Sequence, residues 1–161
     1  MRFAYTALTL CLLAQPLFAA DNPFLGTWEL NVAKSTYSPG PAPKEVKVKF
    51  EQDGDKIHRI ATGTNGDGSA INEDSSIPWD GKDHLVTQPP APPITAAVTW
   101  VNARTLHVVL KQNGKITDTL HVVISKDGKT VTNTDDGVNA KGEKVHNVEI
   151  TEKQQWGLSD W

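Results

Sequence analysis

Apolar residues recur along this chain at every second position, in short runs separated by glycine, proline, asparagine and aspartate. Phe24, Gly26, Trp28, Leu30 and Val32 share one face at the strand period, with Leu25, Thr27, Glu29 and Asn31 on the other. The pattern predicts a strand with a buried face and Trp28 as its large plug. Gly26 has no side chain to pack there, so a neighbouring backbone or ring is expected to cross close to it.

Three prolines between Ala33 and Pro43 exclude a sheet ladder and predict an extended connection that caps one end of the structure. Lys44 to Phe50 then alternates cleanly, with Val46, Val48 and Phe50 inward and Lys47 and Lys49 outward. Asp53-Gly54 reads as a two-residue hairpin turn. That register sets Phe50 opposite Ile57, Val48 opposite Arg59 and Val46 opposite Ala61, and it points Arg59 toward the interior. A shift of one residue would send Arg59 outward.

Thr62 to Gly68 reads as a loop, and Ser69 to Trp79 as a strand whose inward face is Ile71, Glu73, Ser75, Ile77 and Trp79. Asp80-Gly81 turns the chain into a short strand from Asp83 to Thr87, and the proline run Pro89 to Pro93 stops all pairing. Ile94 to Asn102 and Thr105 to Lys111 are the next strands. Around Gln112-Asn113-Gly114, a three-residue loop sets Leu106 and Leu110 against Leu120 and Ile116, which matches apolar faces better than a two-residue loop does. Lys115 to Ser125 follows, with Ile116, Leu120, Val122 and Ile124 inward. Thr130 to Thr134, a loop from Asp135 to Gly142, and Glu143 to Thr151 complete the chain.

Nine or ten short strands joined mainly by tight turns, with no segment of helical length and period, predict an all-β, up-and-down antiparallel β-barrel. Closure removes exposed strand edges, and a barrel of this size is wide enough to hold a small ligand.

Composition adds the compartment. Met1-Arg2, the apolar stretch Phe3 to Ala14 and the small residues Ala19 and Ala20 have the three-part form of a secretory signal peptide, so residues 1–20 are expected to be removed on export to the periplasm or medium. The only cysteine, Cys11, falls in this leader. The mature chain thus has no disulfide and stands on its core alone, as one domain over residues 21–154 with an aromatic tail at 155–161. Losing Arg2 leaves 15 basic residues of the original 16 against 19 acids, a net charge of about −4. That balance, without a basic cluster, argues against nucleic acid as a partner. No apolar run beyond the leader reaches the ~20 residues of a membrane helix.

Gly26-Thr27-Trp28 with Leu30, Asn31, Lys34 and Ser35, then Pro39 to Pro43, resembles the opening of a family of small secreted bacterial lipocalin-like proteins of the calycin group. Asp80-Gly81-Lys82-Asp83, Ser125 to Thr130 and Glu152-Lys153-Gln154 extend the likeness over nearly the whole mature chain. The resemblance implies an exported, lipocalin-like barrel and carries no catalytic residues. The chain departs from the family in Trp100 and in the tail Gln155 to Trp161.

The remaining polar residues carry little of the pattern that site chemistry needs. His58, His84, His107, His121 and His146 lie singly on separate predicted strands, and only clustering across strands, His107 with His121, would bring two together. No metal site and no cofactor are predicted. Asn65 to Gly68 and Asp135-Asp136-Gly137 lack the spacing of a calcium loop, and no nucleophile elbow or phosphate loop occurs. Glu73 and Asp74 point to opposite faces of one strand and cannot jointly flank a substrate. Arg59, Glu73 and Ser75 remain, on adjacent strands and facing inward. A buried arginine needs a counter-charge, either Glu73 or an anionic ligand.

The chain is therefore expected to be a monomeric binding protein, not an enzyme, that holds a small apolar or amphipathic molecule in the barrel lumen. Trp28, Arg59, Glu73, Ser75 and Trp79 are its expected ligand-binding residues. The alternative is an interaction protein whose barrel is filled by its own side chains and which acts through Trp100, the proline loop and the tail.

Overall fold

The computed structural model describes residues 22–87, 92–139 and 141–155. The predicted leader, the start of the proline loop and the aromatic tail from Trp156 onward lie outside the described residues. Eleven strands follow in chain order: β1 (Gly26–Leu30), β2 (Thr36–Ser38), β3 (Glu45–Asp53), β4 (Lys56–Thr64), β5 (Ala70–Ile77), β6 (His84–Leu85), β7 (Ile94–Asn102), β8 (Thr105–Gln112), β9 (Lys115–Ile124), β10 (Thr130–Val138) and β11 (Lys144–Lys153). They form one antiparallel sheet in the order β5-β4-β3-β1-β11-β10-β9-β8-β7-β6, with β2 paired to β11. Chain neighbours are sheet neighbours almost throughout, and β1 joins β11. The result is the up-and-down barrel predicted from the alternation, nearly closed. No helix among the described residues is long and apolar enough to cross a membrane.

The opening in the barrel lies between β5 and β6. Past Ile77 the chain turns at Asp80-Gly81 and climbs along β7, with the Gly81 N–H donating to the Val98 carbonyl (2.9 Å) and the Val86 N–H to the Ile94 carbonyl (2.9 Å). Among the described residues β5 pairs with β4 alone. A slit therefore remains between β5 and β6 among the described residues, with Trp79 packed against the buried cluster just past β5.

Paired residues share a face, so the buried positions fix which face is inside. Phe24, Trp28, Ile77, Ala96, Val98, Leu106, Ile124 and Val131 form one buried cluster, with Phe50, Trp79, Val86, Val108, Leu110 and Val122 packed against it. Phe24 and Trp28 are each only 2% exposed. This apolar floor fills one end of the barrel. Four aromatic rings knit it: Trp79 meets Phe24, Phe50 and Trp100 at centroid distances of 6.1, 5.8 and 5.7 Å, and Phe24 meets Trp100 at 5.7 Å.

The first strand is shorter than its alternation suggests. It ends at Leu30 because the Asn31 side chain accepts the Lys34 N–H (3.2 Å) and starts a 3-10 turn over Val32–Lys34, which takes Val32 off the inward face. Phe24 precedes the strand yet is buried, and its carbonyl accepts the Trp28 indole N–H at 2.8 Å. The group that crosses Gly26 is neither backbone nor ring. A Cβ there would lie 3.1 Å from Lys153 Cε, and the Lys153 ammonium sits 5.1 Å from the Trp28 ring centroid. Gly26, at φ +114°, both escapes the strain and leaves room for that lysine.

Two hairpins differ from their expected registers. At β3–β4 the turn residues are Gly54 and Asp55, so Phe50 faces Arg59, Val48 faces Ala61 and Gln52 faces Ile57. The shift is two residues, which preserves the face of every side chain, and Arg59 stays on the Trp28–Val48–Ala61 side. At β8–β9, Asn113 (φ 52°) and Gly114 (φ 75°) form a two-residue turn, and an irregularity beyond Leu110 then slips the register. Leu106 faces Val122 and Val108 faces Leu120, so the apolar match is achieved by a bulge rather than by a longer loop. Ile116 falls on the near side of the bulge and is 60% exposed instead of inward.

Two segments read as connections are strands. The Ala33–Pro43 segment contributes β2, which pairs Thr36 to Ser38 with β11 before its first proline ends the ladder. The stretch from Asp135 to Val138 continues β10, and the turn comes later, at Asn139 to Gly142. Its residues look like a loop because the inward face they line is polar, Asp135 pairing with Asn147 there.

Candidate functional site

Above the apolar floor the inward face changes character. Pairing places Arg59 and Ser75 directly opposite each other and Glu73 opposite Ala61, which is 1% exposed. Across the barrel, Asn133 faces Glu149, Asp135 faces Asn147, and Asp118 faces Gly137. Tyr37 on β2 pairs with Asn147 and extends this wall. Interspersed apolar residues, Val46, Val48, Ile71, Val108, Leu110, Leu120 and Val122, are partly exposed although they face inward. Solvent therefore reaches the upper half of the barrel.

The β2–β10–β11 wall is a hydrogen-bonded polar sheet. Glu149 Oε1 accepts from the Tyr37 hydroxyl (3.2 Å) and Oε2 from Asn133 Nδ2 (2.9 Å). Asn147 Nδ2 donates to Asp135 Oδ2 (3.3 Å), and Asn147 Oδ1 accepts the Ser38 N–H (3.2 Å). Two acceptors are left over: Asn133 Oδ1 and Asp135 Oδ1 are out of solvent and without a hydrogen-bond partner among the described residues. Burial, then the charges of Asp118 and Glu149, push the Asp135 carboxyl up to about 6. Burial and the adjoining Glu149 carboxylate hold the Tyr37 phenol well above its ordinary value, so it stays a neutral donor. Gly137 makes room for Asp118, since a Cβ there would strike the Asp118 carboxylate and the Thr117 carbonyl.

The five expected binding residues divide between floor and wall. Trp28 lies in the packed floor, out of solvent, and Trp79, past the end of β5, packs against that floor partly exposed. Arg59, Glu73 and Ser75 come together at the lip of the slit. Arg59 Nη1 donates to Glu73 Oε2 at 2.6 Å, with 37% and 58% of the two side chains exposed. The ion pair is inward by register and solvated because the wall ends at β5. Trp100 is opposite Leu106, partly in the aromatic floor, and 38% exposed.

Tyr37, Asn133, Asp135, Asn147 and Glu149 were not anticipated. Their signal was present in Asn133, Asp135 and Gly137, which alternate with Thr134 and Asp136, but polar alternation without apolar residues reads as a loop. Among the described residues no group of three or more His, Cys, Asp or Glu side chains gathers as a metal centre. Two shallow surface hollows, one beside Glu29, Asn31 and Glu152 and one beside Ile116, Val138 and Lys144, are open to solvent.

No family model matches the sequence, and no curated protein matches it. Solved structures do match. A fatty acid binding protein of Schistosoma mansoni in complex with arachidonic acid is 15% identical, aligns over 83% of this chain and 97% of its own, and gives a TM-score of 0.53. The zebrafish ileal bile-acid-binding protein complexed with cholic acid is 14% identical over 82% and 99% of the two chains, with a TM-score of 0.51. Rv2717c from M. tuberculosis is 13% identical over 83% and 94%, with a TM-score of 0.57. The fold is thus that of the fatty-acid-binding and calycin-type barrels.

Proposed function

We propose that the protein is an exported carrier, not an enzyme, which holds a small amphipathic molecule in the upper half of the barrel. The observation that carries this reading is the division of the inward face into an aromatic floor and a solvent-reached polar wall. An apolar body would rest on Trp79, Phe50 and Val108, and its polar end would meet the wall or the Arg59–Glu73 pair. The solved barrels that share this fold include proteins bound to arachidonic and cholic acids, which supports a ligand of that size and polarity.

Export to the periplasm or medium rests on the leader-like residues 1–20, and kinship with the secreted bacterial lipocalin-like proteins on the Gly26-Thr27-Trp28 opening. Intact mass of the exported protein should lack residues 1–20.

The test is a titration of the purified mature chain with an environment-sensitive fluorescent fatty acid, followed by displacement with unlabelled fatty acids, bile acids and long-chain amines. Saturable one-to-one binding with competition supports the carrier reading. Absence of saturable binding by every probe would leave the alternative, a filled barrel acting through its surface, for which the partly exposed Trp100 speaks.

A further inference from the structure

Three of the five histidines are committed to carboxylates. His58 Nε2 lies 2.8 Å from Asp74 Oδ1, His84 Nε2 lies 2.8 Å from Asp80 Oδ1, and His146 Nδ1 lies 2.7 Å from Asp136 Oδ1. The other two, His107 on β8 and His121 on β9, are directly opposite each other in the ladder. Leu106 and Leu120 face inward, so both imidazoles stand on the outer face, His121 in the open and His107 partly so. Neither has a hydrogen bond or ion pair among the described residues.

Their row across the sheet is Thr99, His107, His121 and Thr134. Two short neutral side chains, Thr99 and Thr134, flank the pair in that row, and the carboxylate diagonal to it on the outer face, Asp136, is engaged by His146.

We infer that His107 and His121 together form a surface site for a nitrogen-preferring divalent transition metal, of the class of Cu²⁺, Ni²⁺ or Zn²⁺. Directly opposed residues of an antiparallel pair hold their Cβ atoms about 4.5–5.5 Å apart. From that separation two imidazoles reach one ion at the usual metal–nitrogen distance of about 2.0–2.1 Å, and water fills the remaining positions. Imidazole ligands without thiolate or carboxylate select copper, nickel and zinc over calcium and magnesium. The site is on the opposite side of the wall from the proposed lumenal ligand and independent of it. Because the ion would tie β8 to β9 in the native state only, it would also raise apparent stability.

The experiment titrates CuCl₂ into the mature chain in a non-chelating buffer at about pH 7.5, where an ordinary imidazole is largely neutral. It is read by electron paramagnetic resonance and by paramagnetic broadening of the histidine ring protons. One copper per chain, nitrogen hyperfine structure from two imidazoles, and selective broadening of His107 and His121 are expected. H107Q and H121Q should each weaken binding by at least the roughly tenfold that loss of even a second-shell partner costs, while H146Q binds as the parent does. The ring-proton map in the unaltered protein needs no variant to fold. Broadening centred on His58, His84, His146 or the chain terminus, or unchanged binding by the double variant H107Q/H121Q, overturns the assignment.

Discussion

Arg59 and Glu73 form a 2.6 Å ion pair that faces the barrel interior by register and yet remains in contact with solvent. The inward direction comes from the strand pairing, and the solvation from the slit beside β5. A pair so exposed contributes little to stability, because water screens it.

Arg59→Met should therefore cost at most about 1 kcal/mol in urea denaturation. If Arg59 holds the head of an anionic amphiphile, the same variant loses fatty-acid binding and keeps that of a long-chain amine. Equal retention of both ligands would remove Arg59 from the binding site.

Trp28→Ala should be far more damaging. It empties the centre of the floor, frees the Phe24 carbonyl and strips the ring beneath the Lys153 ammonium. Truncation of a buried large aromatic costs about 3–5 kcal/mol. A loss under about 1 kcal/mol would mean that the floor repacks without it, contrary to a close-packed core.

Asp135 gives stability a pH dependence with a definite sign. Its native value is raised from 3.8 to about 6, so between those limits the folded state binds the proton that the unfolded state has released. This contribution is complete below the unfolded value and is lost as pH rises through about 6. Asp135→Asn should flatten the stability profile over that interval and leave the protein no less stable at neutral pH. Urea midpoints measured across the interval for both proteins decide it, and an unchanged slope in the variant would show that Asp135 is not the responsible group.

Gly63→Ala and Gly40→Ala make a matched pair. A Cβ at Gly63 would collide with the Glu45 carbonyl and approach Val46 Cα to 2.9 Å, whereas at Gly40 the nearest atom is 3.7 Å away. Overpacking against backbone typically costs about 1–3 kcal/mol. The first variant should be destabilised by that amount and the second should melt with the parent.

How much of this was legible in the sequence depends on which face each residue lines. Where one face is apolar, as in Val46-Val48-Phe50 or Leu120-Val122-Ile124, alternation located strand and face. The Asp53-Gly54 turn was placed one residue early in the chain, yet a two-residue slip of register leaves every face unchanged, so Arg59 was still assigned inward. The same arithmetic explains Ile116, which a single-residue slip at the bulge turned outward. The polar wall was illegible for a different reason. Asn133, Asp135, Asn147 and Glu149 face the interior as strand residues do, but there they hydrogen-bond to one another instead of packing against hydrocarbon. Tyr37 was hidden among prolines, and only the ladder from Thr36 to Ser38 brings its hydroxyl to Glu149.

The edge of β5, unpaired among the described residues, carries a consequence for colloidal behaviour. A free row of backbone donors and acceptors is a template on which a second chain can add a strand, the first step toward fibrils. Near the middle of that edge stand Glu73 and Asp74, one on each face and 58% and 68% exposed at the side chain. Two copies meeting antiparallel and centred there would press carboxylate against carboxylate on both faces, a juxtaposition that is destabilising in any cross-strand pair. Arg59 and His58 relieve these acids within one molecule and have no equivalent to offer an incoming strand. The two carboxylates thus oppose edge-to-edge pairing at the one place where the wall is unfinished among the described residues.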